Sequence, residues 1–253
     1  MNNSNFNYRE IFNQRGNDYH QAMLQFPHTR KAEFEAIIDV AQLNENDLVF
    51  DFPSGGGYLT NFIKPDVVVL SGETSKVFAH CKNGKRNEEI FLCHFDTFPI
   101  KSNSIDKVIS LAGVHHQKEK RLLYKEANRI LKPGGIFCIA DVEQGSNVAL
   151  FLDTWVNRFS SQGHKGFFLN DSSAKDIKNS QFDITFNESI NYYWQFDSLS
   201  DMTTYCKLLF GMDKAKAHDV LLGIEKYLGY TQRSDLYLLP WQLLFIKAIK
   251  AQK

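Results

Sequence analysis

Between residues 47 and 142, five short runs rich in β-branched and aromatic residues alternate with segments of helical periodicity: DLVFDF, VVVLSG, EIFLCHF, SIDKVISLA and GIFCIADV. Parallel strands cannot be joined by tight turns, so such alternation dictates β-α-β units and a parallel sheet covered on both faces. The spacing predicts helices over GYLTNFI, SKVFAHC and KEKRLLYKEANRILK. In the last, Leu122, Leu123, Ala127, Ile130 and Leu131 recur at helical intervals, and LKPGG supplies a stop. Upstream, HTRKAEFEAIIDVAQL reads as a helix whose apolar face is Phe34, Ile37, Ile38 and Ala41. Downstream come an aromatic helix, NVALFLDTWVNRF, and a loop rich in serine, asparagine and glycine. After them FDITFNESINYYWQF and LYLLPWQLLFIKAIK read as strands around the helices MTTYCKLLF and AHDVLLGIEKYL, an antiparallel hairpin at the sheet's edge. The chain thus reads as a single domain: a helical cap over 1–46, a core over 47–142, a lid insertion over 143–180, and closing strands and helices over 181–253.

Composition narrows the partners. The chain of 253 residues carries 29 basic and 29 acidic side chains with no long single-sign run, so nothing points to duplex nucleic acid or a membrane surface. A small molecule is the expected partner, and a monomer or homodimer the expected assembly. Cys81, Cys93, Cys138 and Cys206 form no CxxC pair and sit mostly in apolar runs, which suggests buried thiols, a reduced cytoplasmic setting and no zinc site. The start, MNNSNFNYREIFNQRG, is polar and reads as a mobile leader rather than a signal or anchor. The longest apolar stretch is broken by Pro240 and is too short to span a bilayer.

At the end of the first predicted strand stands DFPSGGGYLT. A strand that ends in a glycine turn is the ordinary place for a nucleotide-like ligand. The GxGxxG fingerprint fails, because Gly55, Gly56 and Gly57 are followed by Thr60, and GxxxxGK[ST] is absent. A nucleoside ligand without phosphates is left.

LVFDFPSGGGYLT, LSGETSK, CHFDTFPIKSNSIDKVISLAGVHH and RILKPGGIFCIADV, in this order, resemble the class I S-adenosylmethionine-dependent methyltransferases of the type 11-like group. The resemblance implies a doubly wound, Rossmann-like, seven-stranded and mostly parallel sheet with an antiparallel edge strand, plus a helical lid from the N-terminus and the insertion. S-adenosylmethionine would be the cofactor and S-adenosylhomocysteine the product. It places Asp51, Ser54, Gly55 and Gly57 at the ribose and amino-acid portion. Glu73, with Thr74 beside it, falls at the ribose diol, and Leu111 and Ala112 along the methionyl arm. Two departures stand out. Pro53 replaces a glycine and removes a backbone donor, for which the Ser54 hydroxyl can compensate. His94 occupies the position of an adenine-contacting acid, so that contact falls to His94 or Asp96, with the Phe95 N–H beside them.

Methyl transfer from a sulfonium is an in-line displacement, dominated by positioning in a dry pocket. His115 and His116, just past the fourth strand, are candidate bases, with Tyr19 as a third candidate catalytic group; either histidine can equally pack under the next helix. No third metal ligand stands at a recognisable spacing, so no metal is expected. The acceptor pocket is expected from His20, Met23, Phe26 and Arg30 of the N-terminal segment and from Trp155 and Trp194. Other expectations remain: a cyclase, decarboxylase or lyase using the same cofactor, or a non-catalytic partner-binding protein. The Asn/Asp-Pro-Pro-aromatic signature of base and glutamine methylation is missing, since the fourth strand ends in SLAGVHH.

Overall fold

The computed structural model of the protein describes residues 7–82 and 90–251. The first six residues of the expected leader, and Glu89 at the start of EIFLCHF, lie outside the described residues. From Asn7 onward the supposed leader is helix α1 (Tyr8–Gln25). Its start is a reciprocal capping box: the Asn7 side chain accepts from the Glu10 N–H at 3.1 Å, and the Glu10 carboxylate from the Asn7 N–H at 3.0 Å. Tyr8, Ile11 and Phe12 then recur on one buried face.

Helix α2 (Lys31–Ala41) buries Phe34, Ile37 and Ala41, while Ile38 is half-buried. Its last carbonyls accept from the Lys107 ammonium, which also pairs with Asp47 at 3.2 Å. Strands β1 (Leu48–Asp51), β2 (Val68–Glu73), β3 (Ile90–Leu92), β4 (Ile105–Leu111) and β5 (Leu131–Asp141) are parallel in the order β3-β2-β1-β4-β5. GYLTNFI forms only a short 3-10 turn, Tyr58–Phe62. Gly57, in the left-handed region, opens it, and Pro65 close behind leaves no room for an α-helix. Helices α3 (Lys76–His80) and α4 (Arg121–Ile130) occupy their expected places, but LKPGG is no connecting loop: Leu131 opens β5 directly after Ile130.

The two faces are distinguished by register. Lys107 is paired with Ile136 and reaches α2, whereas Val108 is paired with Phe137, whose ring packs on Tyr124 of α4 at 5.8 Å. Paired residues of neighbouring strands share a face, so α2 and α4 cover opposite sides. Helix α5 (Asn147–Leu150) continues through a π-helical stretch (Phe151–Val156) into α6 (Asn157–Phe159). Next come α7 (Asp171–Asn179), β6 (Phe182–Phe196), α8 (Leu199–Phe210) and α9 (Ala217–Tyr227), and the chain closes with β7 (Thr231–Arg233) and β8 (Leu236–Lys250).

Strand β8 inserts antiparallel between β5 and β6, completing the seven-strand order; the short β7, for which the sequence gives no clear run, adds an eighth strand on β8. Pro240 lies between the part of β8 paired with β7 and the part paired with β5, so its missing N–H removes no ladder bond on that side. The four cysteines are buried and unpaired. No helix among the described residues is long and apolar enough to cross a membrane.

Phe137, fully buried between Tyr124 of α4 and Phe182 of β6, joins the parallel and antiparallel halves of the sheet. Phe137→Ala is expected to cost about 3–5 kcal/mol, read as a lower urea midpoint with unchanged slope.

Candidate functional site

The carboxyl ends of β1, β2, β4 and β5 converge beneath α1. Past Asp51 the chain turns through Pro53, and the Ser54 N–H donates to the Gly72 carbonyl at 2.9 Å, fastening the turn to β2. Gly55 and Gly57 have φ of +57° and +74°, values at which a side chain is strained. Here the triple glycine finds its reason. A Cβ on Gly56 would come within 2.2 Å of the Cys81 carbonyl, and one on Gly55 within 2.9 Å of the Phe78 ring. What approaches this backbone so closely is its own chain.

Glu73 closes β2 with its carboxylate fully buried and surrounded by donors. Oε2 accepts from the Gly55 N–H at 2.8 Å and the Tyr8 hydroxyl at 3.0 Å, and Oε1 accepts from the Thr74 and Ser75 N–H groups at 2.7 and 2.8 Å. Burial outweighs these donors and lifts the Glu73 carboxyl to about 7. Tyr8, Phe12 and Tyr19 of α1, with Phe78 against Phe12 at 4.8 Å, roof a cradle floored by Asp51, Ser54, Gly55, Leu111 and Ala112. The cradle retains only about 40 Å³ of free space. Phe95 is buried at its side, against Tyr8 and Phe52, whereas His94 and Asp96 are both exposed.

Behind Ala112 lies a second cavity of about 50 Å³, which shares Phe12, Tyr19, Arg30 and Ala112 with the cradle. Its polar wall is organised by Asp141 at the end of β5. Asp141 Oδ2 accepts from the Val114 and His115 N–H groups at 2.7 and 3.0 Å, while Oδ1 faces His115 Nδ1 and the Val142 N–H, each at 2.7 Å. Burial would raise this carboxyl, but His115 and the backbone donors hold it below its ordinary value. His116 lies 4.1 Å from His115, ring to ring, and His164 stands 5.6 and 5.3 Å from the two. Burial, with the neighbouring imidazoles, pushes His116 well below its ordinary pKa, and burial takes His164 to about 4 although Asp153 opposes the shift.

The expected acceptor residues divide. Arg30 and Trp194 line the inner cavity in one network: the Arg30 guanidinium pairs with Glu33 and donates to the Tyr19 hydroxyl, and Trp194 Nε1 donates to Glu33 at 2.8 Å. The others point elsewhere. Trp155 donates to the Asp219 carbonyl at 2.8 Å and packs across Gly223 of α9, because the π-helical stretch rotates it outward. Met23 and Phe26 are anchored on Tyr205 of α8. His20, half-buried, meets the Tyr58 hydroxyl on the cradle's outer side at 2.9 Å.

Sequence reasoning missed Tyr8, Phe12, Arg15, Glu33, Asp141 and His164. Tyr8 and Phe12 were legible as an i, i+4 pair behind the Asn7 and Glu10 cap, and Asp141 as an acid ending a strand, as Asp51 does. His164 carried no local signal. A wide polar groove of about 610 Å³ lies outside Phe167 and Phe168, with Lys118, Lys120, Arg121 and Asp153 on its walls.

Set against known proteins, residues 50–139 match the family model described as a methyltransferase domain. The chain is 22% identical over 176 residues to a malonyl-[acyl-carrier protein] O-methyltransferase of Marinomonas sp., covering 67% of this chain and 65% of that one. It is 35% identical over 98 residues, 38% of this chain and 37% of the other, to an uncharacterized protein of Methanocaldococcus jannaschii. The chain therefore spans less than two thirds of these relatives' lengths. Among solved structures, phosphoethanolamine N-methyltransferase 2 of Haemonchus contortus, in complex with S-adenosyl-L-methionine, superposes with a TM-score of 0.64 at 17% identity, covering 98% of this chain and 60% of that one. The YcgJ protein of Bacillus subtilis gives 0.63 at 14% (88% and 100% covered), and the [4+2]-cyclase SpnF 0.58 at 17% (88% and 81%). At such identities the likeness is one of fold.

Glu73 generates a pH test. Its folded pKa, about 7, lies above the ordinary value of 4.5, so its contribution to stability is complete below 4.5 and is lost as pH rises through 7. Between pH 5 and 8 the native protein should lose about 2–3 kcal/mol relative to Glu73→Gln, since each tenfold change in proton affinity is worth roughly 1.4 kcal/mol. Parallel urea titrations of the two proteins check this; equal pH slopes would show that the carboxylate is ionised throughout.

Proposed function

Residues 50–139 make this chain a member of the class I S-adenosylmethionine-dependent methyltransferase family, and from that premise we propose that it transfers a methyl group to a small-molecule acceptor. The observation that carries the reading is Glu73: a buried carboxylate at the end of β2, beside a glycine turn, with one oxygen held only by a movable side chain and one backbone N–H. The Tyr8 hydroxyl is the donor that a ribose hydroxyl would replace. S-adenosylmethionine, when bound, supplies an electrophilic methyl group on a sulfonium. The chain's own task is to bind, orient and exclude water.

Glu73, with Thr74 behind it, would hold the ribose diol. Asp51, Ser54, Gly55 and Gly57 would hold the ribose and amino-acid portion, and Leu111 and Ala112 would border the methionyl arm. Phe95 offers the buried side of the adenine site, with His94 and Asp96 at its exposed rim. Since the cradle's free space of about 40 Å³ falls far short of the ~300 Å³ and more of ordinary ligand pockets, α1 has to shift to admit the ligand.

The acceptor reading rests on the cavity behind Ala112. Arg15, stacked on Phe12 at 5.0 Å, brings a cation to its wall, which suits an acceptor with an anionic or strongly polar group. Asp141 faces Nδ1 of His115 and fixes the proton there, so Nε2 is the atom able to take a proton from the acceptor. His116 packs between His115 and α1, and Tyr19 is engaged by Arg30, which leaves both as positioning groups.

Calorimetric titration with S-adenosylmethionine and S-adenosylhomocysteine tests the reading. Micromolar binding is expected, weakened by about 1–3 kcal/mol in Glu73→Gln, and acceptor turnover should release S-adenosylhomocysteine. No binding of either compound by the native protein overturns it. Binding with an unmethylated product would move the chain to the cyclase or lyase class.

A further inference from the structure

We propose that His115, His116 and His164 form a binding site for a divalent transition-metal ion of the zinc type, with a further coordination position open to the inner cavity. One ring nitrogen from each histidine lies within 4.8 Å of the others. Bonds of about 2.0–2.1 Å to a shared ion need these nitrogens to close by about an ångström, a matter of small side-chain rotations.

The surroundings fit a metal better than a packing role. Histidine ligands of metals commonly give their second nitrogen to a carboxylate, which fixes the tautomer and turns the free nitrogen inward. Two of the three rings here have that partner: His115 Nδ1 faces Asp141 at 2.7 Å, and His164 Nδ1 faces Asp153 at 2.8 Å. Asp153 is itself fixed by the Gly166 N–H at 2.8 Å, and the His164 N–H donates to Asn157 at 2.8 Å. Both rings therefore present Nε2 as a lone pair.

The donor set selects the ion. Three imidazoles without a carboxylate ligand suit zinc and its transition-metal neighbours and give no foothold to magnesium or calcium, which take oxygen ligands. Three protein ligands beside a cavity correspond to an open site rather than a closed structural one. That cavity, about 50 Å³, also carries Arg15 and Ala112, and there is room for a single water or one ligand group. Asp153, with a third of its side chain exposed on the outer groove, marks a route for the ion.

A ligated imidazole has no lone pair left for a proton, so with the ion in place His115 orients rather than deprotonates. The ion would then lower the pKa of an acceptor oxygen or sulfur bound at its open position. This last use rests on the methyl-transfer reading; the ion site does not.

The test is made on tag-free protein, stripped with chelator and titrated with Co²⁺ and then Zn²⁺, in the absence of S-adenosylmethionine. One Co²⁺ per chain is expected, with the visible absorption of a four- or five-coordinate site, displaced by Zn²⁺. His164→Ala should abolish it, with far-ultraviolet circular dichroism confirming the fold. Should that variant not fold, Asp153→Asn decides, with affinity weakened about 10- to 100-fold expected. Native protein that takes up no Co²⁺ or Zn²⁺, or affinity unchanged in a folded His164→Ala or in Asp153→Asn, overturns the site. Because the methyl donor is absent throughout, this failure is distinguishable from failure of the methyl-transfer reading.

Discussion

Four hydrogen bonds converge on the Glu73 carboxylate, and through them one side chain ties together three segments of the chain that also pack on one another through Phe12 and Phe78. The Gly55 N–H brings the glycine turn, the Thr74 and Ser75 N–H groups bring the start of α3, and the Tyr8 hydroxyl brings α1. A carboxylate without water must be satisfied by the protein or protonate. Burial has taken Glu73 some way toward the second outcome, to about 7. The cradle's shape follows from that demand, because the turn and the lid are both drawn to the same two oxygens.

Asp141 has the corresponding role at the end of β5. Its oxygens collect the amide groups that follow β4 and β5 and set the orientation of His115, so the bend into the Val114–His116 turn and the direction of the imidazole have one cause. The two carboxylates stand on either side of Ala112, whose backbone, at φ of +50°, separates the cradle from the inner cavity. The cradle and the inner cavity thereby share a wall.

The parallel core was legible because its strands are short apolar runs with clear stops, and the long closing strands because their β-branched and aromatic content exceeds any helical reading. Helix α1 escapes a compositional reading because its polar face dominates, and the Asn7 and Glu10 cap is a positional signal rather than a compositional one. The outward turn of Trp155 depends on the π-helical stretch Phe151–Val156, which shifts the face a residue presents without altering its spacing in sequence. His164 was beyond reach for another reason: its meeting with His115 and His116 is made by the fold of a polar loop, and no local periodicity records a contact between distant segments.

Helix α1 both roofs the cradle and supplies the Tyr8 hydroxyl to Glu73. Any ligand of that carboxylate therefore competes with a residue of the protein itself, and its apparent affinity is the intrinsic one multiplied by the fraction of molecules whose α1 has lifted. The capping box and the aromatic contacts of Tyr8 and Phe12 set that fraction, so the N-terminal helix acts as a built-in competitor. Its stability sets how much of such a ligand must be present before that carboxylate is taken.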